Sequence, residues 1–322
     1  MRAVRITSLD GPEAIEVSDV PEPELPEGHV LIDVYAAGVA FPDLLQTRGR
    51  YQMRPELPFT PGMEVAGVVR SAPGGSGFVA GDRVAAMAWL GGFAEVAVAP
   101  PQMVAPLPEG MSFIEGAGVL VNMLTAHFAL TKRGRYRGGE TVLVQGAAGG
   151  VGVASIQLAR ALGAEVIAVV SSAQKAVFAR RAGASMVLPV EGFKDAVREH
   201  TGGRGVDLVV DPVGGDRFAD SRRCLAPEGR LLVIGFAGGR IPTIEVNRLL
   251  LNNIEVVGAA WGEYLLRHPA YLREQWDELT PLLADGELAP LLGGVYPLDR
   301  AAEALSCMDN RAALGKLVLE TG

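Results

Sequence analysis

An apolar run that stops at a cluster of glycines leaves a chain few options. Residues 141–145 read as a strand, and Gly146-Ala147-Ala148-Gly149-Gly150-Val151-Gly152 follows at once, opening a helix over 150–162 built of small and aliphatic residues. Such a turn lets the backbone come close to whatever lies beyond the strand end. The first N–H groups of the helix have no intrahelical partner, so an anion is favoured there. The spacing matches the dinucleotide fingerprint, with Ala147 at the first glycine place and Gly149 and Gly152 at the other two. Strands at 165–170, 186–190, 206–211 and 230–236 then alternate with helices at 173–182, 193–200 and 217–224. That alternation predicts a parallel sheet covered on both faces, a doubly wound α/β fold of Rossmann type.

Upstream the texture differs. Short runs rich in Val and Ile at 30–34, 64–70, 83–87 and 94–98 are separated by Pro and Gly clusters at 21–26 and 71–77, the pattern of a small barrel or sandwich. Ser112 with Glu115 reads as a capping box that opens a helix. Beyond Gly286 strand-like pieces return at 294–297 and 316–319 around one helix over 298–308. Two domains are therefore expected: residues 1–115, rejoined by 290–322, form the substrate domain, and residues 116–289 form the dinucleotide-binding domain. A chain of 322 residues, 49% hydrophobic and 20% charged, has enough apolar surface for two cores.

The net charge of −8 counts against a general nucleic-acid or anionic-membrane surface. Cys224 and Cys307 are too few for a disulfide framework or a four-thiolate zinc site. The start of the chain runs straight into a strand pattern with no signal-peptide core, so a cytoplasmic location is expected. The uncharged stretch at residues 116–130 is shorter than a membrane span and carries Asn122, Thr125 and His127, so no transmembrane helix is expected.

About twenty residues past the last glycine, NAD-type sites carry an acidic residue that bonds the ribose hydroxyls and repels an added phosphate. Ser171 stands there instead, followed by Ser172 and Lys175. Two hydroxyls and a cation suit a ribose phosphate, which points to NADPH. The alternative makes Ser171 the cap of the next helix and Lys175 an ordinary solvated charge. Both can hold together.

Several longer motifs join the glycine turn. They are Ala36-Ala37-Gly38-Val39-Ala40-Phe41-Pro42-Asp43, Gly49-Arg50-Tyr51, Leu57-Pro58-Phe59-Thr60-Pro61-Gly62-Met63-Glu64-Val65-Ala66-Gly67, Gly81-Asp82-Arg83-Val84, Gly202-Gly203-Arg204-Gly205-Val206-Asp207, Asp211-Pro212-Val213-Gly214-Gly215 and Arg311-Ala312-Ala313-Leu314-Gly315-Lys316. Over essentially its whole length the chain resembles the medium-chain dehydrogenase/reductase superfamily, and within it the zinc-independent quinone oxidoreductase family that includes zeta-crystallin. The resemblance implies a GroES-like β-barrel domain at both chain ends around the Rossmann domain. It also implies NADPH-dependent hydride transfer to a quinone or related electron-poor enone.

For the cofactor it points to Asn122, Ala147, Gly149, Gly150, Val151, Gly152, Ser171, Ser172, Lys175, Val213, Phe236, Trp261, Gly315 and Lys316, the last two closing the cofactor channel from the other domain. For the reaction it points to Tyr51, Asp43 and Thr125. Tyr51 is either an oxygen donor or a stacked wall, and Asp43 is either a structural cap or a polar contact. The superfamily's zinc enzymes carry a cysteine and a histidine where this chain has Ala40 and Met63, so no metal is expected. Relatives in the quinone family carry Asn at the Ala40 position. Ala40 cannot bond a carbonyl, and with Phe41 and Met63 it makes the expected pocket more apolar.

Two other functions stay open. One is NADPH-dependent reduction of α,β-unsaturated enals or enoyl thioesters; the other is a low-turnover nucleotide-binding protein with a structural or RNA-linked role. Residues 254–258 read as the last strand of the sheet, whose apolar edge invites pairing with a second copy, so a homodimer is expected.

Overall fold

The structure, a computed structural model, describes residues 1–321 in two compact units, Met1–Val121 with His268–Gly322 and Asn122–Arg267. In the second unit six strands lie in the order Met186–Pro189, Glu165–Val170, Thr141–Val144, Val206–Asp211, Leu225–Val233, Glu255–Gly258, every neighbouring pair parallel. Val142, Leu143, Val144, Val166, Ile167, Leu208 and Val209 are all fully buried. Continuous burial, rather than alternation, follows from helices covering both faces. The strand order reverses at Thr141–Val144, which has Glu165–Val170 on one side and Val206–Asp211 on the other. At such a reversal the connections leave toward opposite faces, and a crevice opens at the carboxyl ends of the strands.

The strand expected at 230–236 instead spans Leu225–Val233, starting five residues early with a register shift against Val206–Asp211 and ending three residues early. Residues 234–238 bond instead to the loop after the neighbouring strand, with Ile234 N–H donating to Asp211 O at 3.0 Å and Gly238 N–H to Val213 O at 2.8 Å.

The first unit is organised by Val30–Val39. Along one side it pairs antiparallel with Glu64–Ser71. Its other side serves two partners in turn: Val30–Asp33 with Ala99–Val96, and Ala36–Val39 with Glu320–Leu317. Arg83–Met87 and Val104–Pro106 extend the sheet at one end and Leu292–Pro297 at the other. Arg2–Ile6 and Ile15–Asp19 form a separate hairpin.

The chain rejoins this unit at His268, well before the residue 290 expected from the sequence. Helix Tyr271–Ala284 brings Leu272, Trp276 and Leu279 into the unit's interior, and Trp276 Nε1 donates to Pro106 O at 3.0 Å. Its helical pattern resembles that of the preceding Rossmann helices, which hid the change of partner. The chain leaves the unit within helix Phe113–His127, whose start is held by the expected box: Ser112 Oγ donates to Glu115 Oε2 at 2.7 Å and accepts from Glu115 N–H. A π-helical turn, Phe128–Arg133, prolongs this helix to 21 residues, long and apolar enough by composition to cross a membrane. However, 83% of its apolar window is buried within the protein, as in the core helix of a globular fold.

Removing the buried indole should report on this packing. Trp276→Ala is expected to lower the unfolding free energy by about 3–5 kcal/mol, measured by urea denaturation; a loss under 1 kcal/mol would mean that the helix is not part of the first unit's core.

Candidate functional site

The glycine turn sits at the carboxyl end of Thr141–Val144. Gly146 has φ +58°, and a Cβ there would stand 2.9 Å from Val213 Cγ2. The residue that must be glycine for the turn is therefore Gly146, one place before the position assigned from spacing. Ala147 is fully buried, and its N–H donates to Val169 O at 3.3 Å. It does not adopt a positive φ, which is why a methyl group is accommodated at that place.

Gly149 is the extended N-cap of helix Gly150–Ala161 and offers no side-chain cap, so Gly150, Val151 and Gly152 present the uncapped first turn. A Cβ on Gly150 would lie 2.2 Å from Asn122 Nδ2. The bare backbone thus lets the Asn122 amide, 9% exposed on helix Phe113–His127, reach the turn. A close-packed glycine cradle with free N–H groups and a side-chain amide is a donor set suited to a pyrophosphate.

At the end of the next strand, Glu165–Val170, the structure separates two roles. Ser172, not Ser171, is the N-cap of helix Ala173–Arg181 and accepts from Lys175 N–H at 3.3 Å. Ser171 is exposed and accepts from Lys175 Nζ at 3.2 Å. A hydroxyl and an ammonium therefore stand together on the surface where an acidic residue would repel a phosphate.

At the end of Val206–Asp211, buried Asp211 accepts at Oδ1 from the N–H groups of Val213 and Gly214, both at 2.9 Å. Burial pushes its carboxyl above the ordinary range, against the pull of those two N–H groups. Asp211 thereby fixes the loop that carries Val213 beside the chain leading to Phe236. Asp211 opens the motif Asp211-Pro212-Val213-Gly214-Gly215, and nothing in its residue types marks this role. Thr125 is 8% exposed on helix Phe113–His127, and Trp261, 4% exposed, opens helix Trp261–Arg267.

The first unit holds the other named residues. Tyr51 is half-buried in the loop after helix Phe41–Thr47. Asp43 accepts at Oδ2 from Ala40 N–H at 2.8 Å and so caps the entry to that helix. It is fully buried, and its Oδ1 has no hydrogen-bond partner. Burial, helped by the Glu64 charge, pushes its pKa up to about 7, while the N–H groups of Ala40 and Gly62 and the ammonium of Lys316 pull it down. Gln46, one helical turn on, is also buried with both amide atoms unpartnered.

Glu64 is fully buried, pairs with the Lys316 ammonium through Oε1, and accepts from Val121 N–H at Oε2, 2.8 Å away. Lys316 is 3% exposed and its charge is committed to Glu64, so it brings no free cation to a cofactor. Gly315, at φ +52°, turns the chain just before it. Nothing in a single sequence marks a lysine and a glutamate 252 residues apart as a pair. Among the described residues no three His, Cys, Asp or Glu side chains gather as a metal site would require.

The family description "Alcohol dehydrogenase GroES-like domain" matches residues 26–109, and "Zinc-binding dehydrogenase" matches residues 150–285. Quinone oxidoreductase-like protein 2 of Rattus norvegicus is 38% identical over 322 residues, covering 99% of this chain and 91% of its own. Among solved structures, a probable oxidoreductase from Mycobacterium abscessus superposes with a TM-score of 0.92 at 46% identity, over 100% of this chain and 99% of that one. A quinone oxidoreductase from Thermus thermophilus, studied also in complex with NADPH, superposes with a TM-score of 0.86 at 37% identity over the whole of both chains.

The buried pair gives a stability prediction. Lys316→Ala leaves the Glu64 carboxylate uncompensated, so the unfolding free energy should fall by about 3–5 kcal/mol in chemical denaturation. The double variant Glu64→Leu, Lys316→Met should recover most of that loss. Equal losses in the single and double variants would show that the charge itself is not what matters.

Proposed function

This chain belongs to the medium-chain dehydrogenase/reductase superfamily, among its quinone oxidoreductase-like members, and we propose on that basis that it reduces a quinone or related electron-poor enone with NADPH. The observation that carries the cofactor assignment is the exposed Ser171–Lys175 pair beyond the glycine cradle. The uncapped N–H groups of Gly150, Val151 and Gly152, with the Asn122 amide, suit the pyrophosphate. Ser171 and Lys175 suit the ribose phosphate, Ser172 keeps the helix in place beneath them, and Val213, Phe236 and Trp261 supply apolar contact. NADPH, when bound, supplies the hydride.

The remaining steps belong to side chains. In the first unit the Tyr51 phenol, and in the second the Thr125 hydroxyl, are each a donor of the kind that suits an oxygen gaining charge. Ala40, Phe41 and Met63 offer apolar surface that suits a flat acceptor and excludes water. The two cysteines are free, which agrees with work in the reducing cytoplasm.

We also propose a homodimer. Strand Glu255–Gly258 pairs on one side only, and Ile241, Val246, Leu250 and Leu251, which precede it closely in the chain, are 70–75% exposed. Neighbouring apolar side chains beside an open strand edge favour a second copy related by a two-fold axis.

The decisive assay is NADPH oxidation against a panel of quinones, enals and enoyl thioesters. Quinone turnover exceeding the others supports this reading, and thioester turnover exceeding quinone turnover overturns the substrate class. A charge-assisted hydrogen bond contributes roughly 1.5–3 kcal/mol, or about ten- to a hundredfold in affinity. Lys175→Ala is therefore expected to weaken NADPH by that factor and NADH hardly at all, and Ser171→Asp to reverse the preference. Equal weakening of both nucleotides would remove the phosphate site. Leu250→Asp combined with Leu251→Asp should convert a dimer to monomer in light scattering; a wild-type chain that is already monomeric at micromolar concentration would rule the dimer out.

A further inference from the structure

Two loops at the carboxyl end of the second unit's sheet are joined along their length. One follows strand Val206–Asp211 and the other strand Leu225–Val233. The N–H groups of Ile234, Ala237 and Gly238 donate to the carbonyls of Asp211, Pro212 and Val213 at 3.0, 3.1 and 2.8 Å, and Gly215 N–H donates to Arg240 O at 3.0 Å. An ion pair between Asp216 and Arg240 crosses the outer end, but these side chains are 87% and 69% exposed. Solvent screens such a pair, so it holds the loops weakly.

The inner end has a stronger tie. Asp211 is 2% exposed, and its Oδ1 accepts from the N–H groups of Val213 and Gly214 at 2.9 Å each. A side-chain oxygen bound to the N–H groups two and three residues on fixes the turn between them. What this turn carries meets the glycine cradle. A Cβ on Gly146 would lie 2.9 Å from Val213 Cγ2, so the Val213 side chain packs on that bare backbone. A Cβ on Gly214, which has φ +61°, would lie 3.0 Å from Phe236 Cδ1. The Phe236 ring therefore rests on Gly214 and remains 36% exposed.

The order of the strands decides which half of a dinucleotide would meet these two side chains. Glu165–Val170, Thr141–Val144, Val206–Asp211 and Leu225–Val233 are successive neighbours in the sheet. Ser171 and Lys175 follow the first, the glycine cradle the second, Val213 the third and Phe236 the fourth. With a pyrophosphate on the cradle and a ribose phosphate on Ser171 and Lys175, the other half would extend the opposite way along the crevice, toward Val213 and Phe236.

We propose that Asp211 is a positioning residue for the nicotinamide half of NADPH: its Oδ1 locks Val213 and Phe236 in the arrangement that receives that half and has no part in holding the adenosine half. The inference rests on the NADPH reading above. A loop ordered before binding spares the ligand the cost of ordering it. If loss of Asp211 leaves the loop pair in this arrangement about a tenth of the time, affinity falls about tenfold.

The test compares two probes by isothermal titration calorimetry: NADPH, and adenosine 2′,5′-bisphosphate, which carries the adenosine half alone. Asp211→Ala should weaken NADPH about tenfold and change the Kd of the bisphosphate less than about twofold. Asp211→Asn keeps an oxygen acceptor for the two N–H groups and should restore NADPH affinity to within about threefold of wild type. Amide hydrogen exchange without ligand should be faster over residues 212–215 in Asp211→Ala than in wild type. If Asp211→Ala does not fold, Asp211→Ser, whose shorter side chain serves one N–H at most, should give the same pattern with a loss of about threefold. The proposal is overturned if the alanine or serine variant weakens both probes alike or neither, if Asp211→Asn loses as much affinity as that variant, or if wild type binds NADPH no more tightly than the bisphosphate. A wild-type chain that binds neither probe is instead failure of the NADPH reading.

Discussion

The buried ion pair between Glu64 and Lys316 is the constraint on which the first unit turns. Glu64 lies at the start of a strand from the middle of the unit's first segment, and Lys316 at the start of a strand from the end of the chain. Between them stands Val30–Val39, which pairs with both strands and so brings the two charges together. Taking such charges out of water is costly, and their attraction returns that cost only when the remaining lone pairs are also satisfied. Val121 N–H satisfies one of them. Asp43 is fully buried in the same unit, its Oδ2 accepting from Ala40 N–H.

The fold was largely legible because its strongest signals are local. The apolar run before Gly146, the Ser112–Glu115 box and the alternation through Asp211 each depend on residues within a few positions of one another, and local chemistry decides them. The dinucleotide turn was legible for the same reason, although the spacing rule named Ala147 where backbone geometry singles out Gly146. Spacing records which positions face a ligand, whereas φ is set by the strand and helix that the turn must join.

What escaped was non-local. The pairing of Lys316 with Glu64 left no mark, since the two lie 252 residues apart and only sheet pairing joins them. The return of the chain at His268 was placed too late because an amphipathic helix carries no mark of which core receives it, and Trp276 discloses its partner only through the bond to Pro106 O. Gln46, buried with an unpartnered amide, looks in the sequence like any solvated helix residue. The division between Ser171 and Ser172 lay at the limit of sequence reading, for adjacent hydroxyls exchange the capping role with a one-residue shift of the helix start.

The interrupted first unit bears on how the protein is made. Residues 122–267 form a contiguous unit whose strands all come from one stretch of chain, so it can close as soon as it has left the ribosome. The preceding unit cannot. One side of Val30–Val39 waits for Lys316–Glu320, and until that strand is synthesised Glu64 has no ammonium and Ala36–Val39 presents an unpaired edge. For most of translation the nascent chain therefore carries an open, apolar half-sheet, and the second unit closes before that half-sheet can. The period in which it most needs protection from other nascent chains is set by the synthesis of residues from a wholly different module.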